Sequence, residues 1–174
     1  LFVNPNNRNP LPLAAVEPPL WLSLMGSHYL EDGKDVQVLD AEAENLSLAQ
    51  TVASILVSKA TEVILVVMGN NPSVSSTPKM PVANALFETL SPHYSRLWLT
   101  GMHPMAIGSK SVLNWSPTKC LPLHWELLPM HLYRAHNWHC LDGSPRQPYA
   151  SIYTSLGCPF DCYYCNIHTL YKDR

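Results

Sequence analysis

Charge is scarce in this chain. Lys, Arg, Asp and Glu make up 14% of its 174 residues, 11 basic against 13 acidic, for a formal net charge of −2. A nucleic-acid footprint or a polybasic membrane anchor needs clustered Lys and Arg, and the sequence supplies neither. Long apolar runs are also missing. The longest aliphatic stretch, Val63-Ile-Leu-Val-Val-Met68, is far short of the ~20 residues that cross a bilayer. No basic segment followed by an apolar one stands at the start, so no secretory leader is read and the cytoplasm is the expected compartment. The chain opens at Leu1 inside a strand-like run, and is expected to be a fragment or a processed form. Its five cysteines are an odd number with three tightly clustered, which favours metal binding in a reducing compartment over a disulfide framework. What is present is 47% apolar residues and 16 prolines. That balance suits a buried parallel sheet with irregular loops better than it suits disorder.

The first hundred residues alternate between strand and helix signals. Strands are predicted at Leu1–Asn4, Val36–Asp40, Glu62–Met68 and Arg96–Thr100. The third is nearly continuous in β-branched and aliphatic residues, as for a strand covered on both faces. Pro18-Pro19 opens a helix to about Asp32, with Gly33 as its stop. Ser47 is placed to cap a helix from Leu48 to Ala60, where Leu48, Val52, Ile55, Leu56 and Lys59 recur at helical spacing. A third helix runs from Pro81 to about Leu90. The pattern predicts an open parallel α/β sheet of Rossmann-like type over residues 1–110.

In such sheets ligands lie beyond the carboxyl ends of the strands, where strand order reverses. The loops to inspect are Asn4–Arg8, Asp40–Glu44, Gly69–Met80 and Gly101–Pro104. Residues 111–148 lose all periodicity but keep Trp115, Trp125 and Trp138. They are expected to form an ordered connector that packs its aromatics across two domains, because flexible linkers lack Trp and Leu. Tyr149–Thr154 is read as a last strand leading to the cysteines.

Cys158, Cys162 and Cys165 stand in Gly157-Cys-Pro-Phe-Asp-Cys-Tyr-Tyr-Cys165, a CxxxCxxC arrangement. Three thiolates on one short loop can hold three irons of a cubane cluster and leave the fourth open. Two rivals stay in view. Adding His168 would make a Cys₃His zinc site, although structural zinc sites usually pair two ligand knuckles separated by a longer spacer. A ferredoxin-like carrier wants a fourth thiolate, which only Cys120 or Cys140 could provide.

The segment Tyr153–Cys165 resembles the cluster motif of radical S-adenosylmethionine enzymes, which lies after the first strand of their partial TIM barrel. The resemblance implies a 4Fe-4S cluster on Cys158, Cys162 and Cys165, with S-adenosylmethionine on the open iron and Tyr164 near its adenine. It also implies cleavage of that cofactor to a 5′-deoxyadenosyl radical by an external one-electron reductant. Residues 149–174 would then begin a truncated radical domain, inactive alone. The domain before it resembles the cobalamin-binding domain found ahead of some radical domains. The matching stretches are Asn4–Asn7, Glu17–Trp21, Asp40–Glu44, Gly69–Met80, Gly101–Pro104 and Trp125–Pro129.

From this resemblance the candidate cobalamin contacts are Asn6, Asn70, Ser73, Ser75, Ser76, Gly101 and His103. Without the resemblance, His103 beside Pro104 is the commoner hydrogen-bonding loop histidine, and His131, His136 and His139 serve packing and capping. Glu42 and Glu44 read as solvated or capping acids, and Lys79 as a surface charge. No GxGxxG follows the first strand, which weakens a dinucleotide reading. The cobalt-ligating DxHxxG is also absent, so the implied cobalamin is base-off. A fifth strand is not found between Pro104 and Trp125.

The resulting expectation is a cobalamin-dependent radical enzyme that transfers methyl to an unactivated carbon of a small molecule, lipid or natural product. A non-catalytic cobalamin-binding module is the alternative. A methylthiotransferase relative is a weaker one, since those carry cluster cysteines in a domain where residues 1–110 have none. A zinc-site protein is the other weaker alternative.

Overall fold

The computed structural model describes residues 1–8, 15–69, 77–109, 111–117, 123–155, 157–165 and 167–171. Its four strands fall where the apolar runs place them: β1 (Phe2–Asn4), β2 (Val38–Asp40), β3 (Val63–Val66) and β4 (Leu97–Thr100). All pair in parallel, in the order β2-β1-β3-β4. Phe2 lies opposite Val38 on one side and Ile64 on the other. The chain steps from β1 outward to β2 and returns on the far side of β1 to β3. Strand order therefore reverses between β1 and β3.

Helices cover both faces: α1 (Leu20–Glu31), α2 (Leu48–Val57) and α3 (Met80–Leu90), with two short ones, α4 (Met102–Ile107) and α5 (Ile167–Leu170). Side chains alternate between the faces of a strand, and the two cores follow that alternation. Val3, Val63, Leu65, Leu97 and Leu99 pack with Ile55, Ala83, Leu86 and Leu90 of α2 and α3. Phe2, Ile64 and Val66 pack with Trp21, Leu22 and Met25 of α1. Every residue of α1 from Leu20 to Ser27 is buried, so this helix is wrapped on all sides and carries no polar stripe in its first two turns. Its chain stops at Gly33 with φ +72°, a left-handed conformation that glycine adopts freely.

α2 starts with a capping box. The Ser47 hydroxyl accepts from Gln50 N, and Gln50 Oε1 accepts from Ser47 N at 2.9 Å. Two otherwise orphaned amides are satisfied in this way. Ser47→Ala is expected to lower unfolding free energy by about 1 kcal/mol, measured as a shift in urea midpoint with unchanged slope.

Two expectations are corrected. A fifth sheet position exists, reduced to one parallel bridge between Leu99 and Val112. Leu99 N donates to Ser111 O at 3.0 Å and Leu113 N donates to Leu99 O at 2.8 Å. The six residues of α4 return the chain so quickly that the sequence shows no separate apolar run. Conversely, no strand forms over Tyr149–Thr154. Tyr149 N donates to Tyr133 O at 3.1 Å, but residues 150–155 join no ladder and Ile152 is 68% exposed. An extended run without a neighbouring strand has nothing to pair its backbone with.

The connector folds inward onto the α/β sheet. Trp115 meets Trp21 and His28 of α1 edge-to-face at 5.1 and 5.6 Å. Trp21 Nε1 and His28 Nε2 are buried without a hydrogen-bond partner among the described residues. Both rings cross Trp115 at near right angles, the arrangement in which a ring N–H can rest on an aromatic face. Val16 and Arg134 form an antiparallel bridge, and Leu128, Tyr133 and Ala135 are buried. Among the described residues no helix is long and apolar enough to cross a membrane.

Candidate functional site

The carboxyl edge of the sheet carries a buried polar relay. Asn4 ends β1 and Asp40 ends β2, and Asn4 Nδ2 donates to Asp40 Oδ1 at 2.7 Å. Lys79, just before α3, donates to Asn4 Oδ1 at 2.6 Å and forms an ion pair with Glu42 Oε2 at 2.8 Å. On the other side Tyr133 OH donates to Asp40 Oδ2 at 2.7 Å, and Ala43 N donates to Asp40 Oδ1 at 3.0 Å. Asn4, Asp40, Lys79 and Tyr133 are at most 2% exposed. Burial pushes the Asp40 carboxyl above the ordinary carboxylate range. The hydrogen bonds from Ala43 and Tyr133, the Lys79 charge and the Asn4 amide oppose that push. All three hydrogen bonds to Asp40 come from donors, which suits the carboxylate form. The Tyr133 hydroxyl is pushed upward by burial and by the Asp40 charge, so it stays protonated and donating.

Lys79 is therefore no surface charge. A buried ammonium persists only when paired and hydrogen-bonded, and Asn4 and Glu42 provide that. Glu42 is its ion-pair partner and not a solvated acid. Glu44 stands beside the cluster, where burial and then the Asp40 charge push its carboxyl upward. Nothing in the sequence marks Tyr133, because aperiodic stretches do not reveal which aromatic turns inward.

The candidate cobalamin contacts fall out differently. Asn6 is 7% exposed, and its amide is engaged inward. Nδ2 donates to Leu46 O at 3.1 Å, and Oδ1 accepts from Arg8 N at 2.8 Å. Gly101 follows β4 with φ +109°, and a Cβ placed there would lie 2.3 Å from Val67 O. That glycine is required by the packing of β4 on β3. His103 lies half-buried in the first turn of α4, not in a loop. Asn70, Ser73, Ser75 and Ser76 lie outside the described residues. Of the three described candidates, Asn6 is held by Leu46 and Arg8, and Gly101 is fixed by its close approach to Val67.

The cysteine loop lies on the surface. Cys158 and Cys162 are half-buried and Cys165 exposed, all with free thiols. Cys165 N donates to Cys162 O at 2.9 Å, closing a turn through Tyr163 and Tyr164, which are 100% and 77% exposed. His168 Nε2 lies 2.9 Å from Phe160 O, so this ring braces the loop backbone. The far end of the loop is anchored. Tyr171 is buried and meets Trp21 edge-to-face at 5.8 Å, and Ile167 packs into the same cluster. Trp21 opens α1, the helix that follows β1, so the cysteine segment is moored near the carboxyl edge.

No family model, no curated protein and no solved structure matches the chain. The donor chemistry of the loop suits an iron–sulfur cluster, with three thiols, two of them across one turn. The thiols are not converged: among the described residues no three His, Cys, Asp or Glu side chains gather closely enough to hold a metal ion. Cys140 Sγ is directed to His136 O at 3.7 Å, and Cys120 lies outside the described residues. A cleft of about 420 Å³ opens at the opposite, amino edge, lined by Tyr29, Lys34, Lys59, Glu62 and Arg96 among others. It lies away from the loops that follow the strands and is set aside as a site for the cysteine chemistry.

Proposed function

We propose that the chain is part of a cobalamin-dependent radical S-adenosylmethionine enzyme, with Cys158, Cys162 and Cys165 as the ligands of a 4Fe-4S cluster. The observation that carries this reading is the CxxxCxxC spacing within one short loop. Support comes from the all-parallel sheet in front of it and from the mooring of the loop by Tyr171 and Ile167. Residues 149–174 are proposed as the start of a partial barrel, and residues 111–148 as the connector. The implied compartment is the cytoplasm.

When bound, the cluster would supply one-electron cleavage of S-adenosylmethionine with an electron from an external reductant, and a methyl group carried by cobalamin is proposed to replace a hydrogen on an unactivated carbon of a small molecule, lipid or natural product. The chain's own residues hold and orient. Metal ligation often completes a site that is unformed without metal, so cluster binding asks the loop to bring its three thiols together. Tyr164, exposed beside that turn, is the residue proposed to face the adenine. Cobalamin enters from the resemblance, and the described residues alone do not account for its binding. A cobalamin-binding module without chemistry is the second reading, supported by the all-parallel sheet alone.

Anaerobic incubation with ferrous iron and sulfide is expected to give a broad visible absorbance that stays with the protein through gel filtration. Retention of zinc with no such chromophore contradicts the proposal. Addition of hydroxocobalamin is expected to give a co-eluting red chromophore, and its failure to co-elute removes cobalamin from the account while leaving the cluster.

A further inference from the structure

Tyr133 is bonded in two directions. Its hydroxyl donates to Asp40 Oδ2 at 2.7 Å, at the end of β2. Its carbonyl accepts from Tyr149 N at 3.1 Å, the residue from which the chain departs toward the cysteines. The ring is fully buried. On either side of it, Arg134 N donates to Val16 O at 2.8 Å and Ala135 N to Arg146 O at 3.1 Å, so the connector is pinned where Tyr133 enters the sheet.

Behind Asp40 the polar contacts continue without a break. Asp40 leads to Asn4, Asn4 to Lys79, and Lys79 to Glu42. Asn4 cannot turn its amide over, because Lys79 has no acceptor to offer and Asp40 as a carboxylate has no donor. The chain of contacts is therefore directional, and each member holds the next in one orientation. A buried network of this kind responds as a unit when one member is removed, because a group left without its partner bears the full cost of desolvation.

We propose that Tyr133 is a positioning residue, joining the root of the cysteine segment to the start of α3 through the Asp40–Asn4–Lys79 relay. Displacement of the Lys79 end loosens the connector at Tyr133, and release of Tyr133 loosens the first turn of α3. The two ends are 54 residues apart in sequence (133 − 79) and act as one cooperative element of the carboxyl edge. This coupling stands on geometry alone and holds whichever cofactor the cysteines take.

The test is amide hydrogen exchange on the full chain, wild type against Tyr133→Phe and Lys79→Met. Tyr133→Phe removes one hydroxyl and keeps the ring, and is expected to speed exchange of the Arg134 and Ala135 amides roughly ten- to a hundredfold. The distant α3 amides from Asn84 onward, the first that can bond within that helix, are expected to speed up with them, and Lys79→Met to speed the α3 amides and, through the relay, those of the connector. The double variant should fall short of the product of the two single effects. Should either variant fail to fold, the wild type decides: the connector and α3 amides must share one opening constant. Acceleration confined to the mutated segment, full additivity, or unrelated opening constants would overturn the proposal.

Discussion

Gly101→Ala is expected to destabilise the protein by about 3 kcal/mol or more. Gly101 follows β4 at φ +109° and ψ 177°, a region essentially reserved for glycine. The new Cβ would stand 2.3 Å from the Val67 carbonyl oxygen and 2.7 Å from its carbon. Both are backbone atoms, which cannot swing aside like a side chain. Val67 N donates to Thr100 O at 2.7 Å, so relieving the clash pulls at the pairing of β3 with β4. For a chain of this size that corresponds to a fall in Tm of roughly 6–12 °C, read by calorimetry without added ligand. A melting temperature within about 1 °C of wild type would show that the close approach is not required.

Asp40→Ala is expected to cost about 3 kcal/mol. The substitution strips an acceptor from Asn4 Nδ2, Ala43 N and Tyr133 OH together. Asn4 and Tyr133 are buried at 1% and 0% exposure, so water does not readily replace the lost partner. Glu42→Ala is expected to cost less, about 1 kcal/mol, since that side chain is 26% exposed and water can take up part of its role. Chemical denaturation of both variants measures the order. Equal losses, or a larger loss at Glu42, would place the centre of the relay elsewhere.

Much of the sheet is legible in the sequence for a physical reason. Strands buried on both faces are continuous apolar runs, and Val63–Val66 is such a run with all four residues buried. Pro19, Gly33 and Ser47 mark helix ends because each satisfies or forbids a particular backbone geometry. The polar relay is much less legible. Lys79 sits in a stretch rich in Ser, Pro and Asn, where a lysine reads as solvated, and its burial follows only from the meeting of Asn4 and Glu42 from other parts of the sheet edge. Tyr133 lies where no periodicity shows which side chains turn inward. The bridge at Val112 is too short to leave a pattern. Tyr149–Thr154 has the composition of a strand but no neighbour to pair with, and pairing is decided by tertiary structure. The spacing of Cys158, Cys162 and Cys165 is plain in the sequence, but nothing there foretells that Tyr171 and Ile167 moor the segment in the cluster around Trp21.

The measurement that bears most directly on that loop is iron and sulfide content after anaerobic reconstitution, compared across single Cys→Ala variants at 140, 158, 162 and 165. With Cys158, Cys162 and Cys165 holding a cubane, wild type and Cys140→Ala should each retain about four irons per chain. Cys158→Ala, Cys162→Ala and Cys165→Ala should each lose the cluster. A cluster that survives the loss of Cys158, Cys162 or Cys165, or that requires Cys140, would contradict the account.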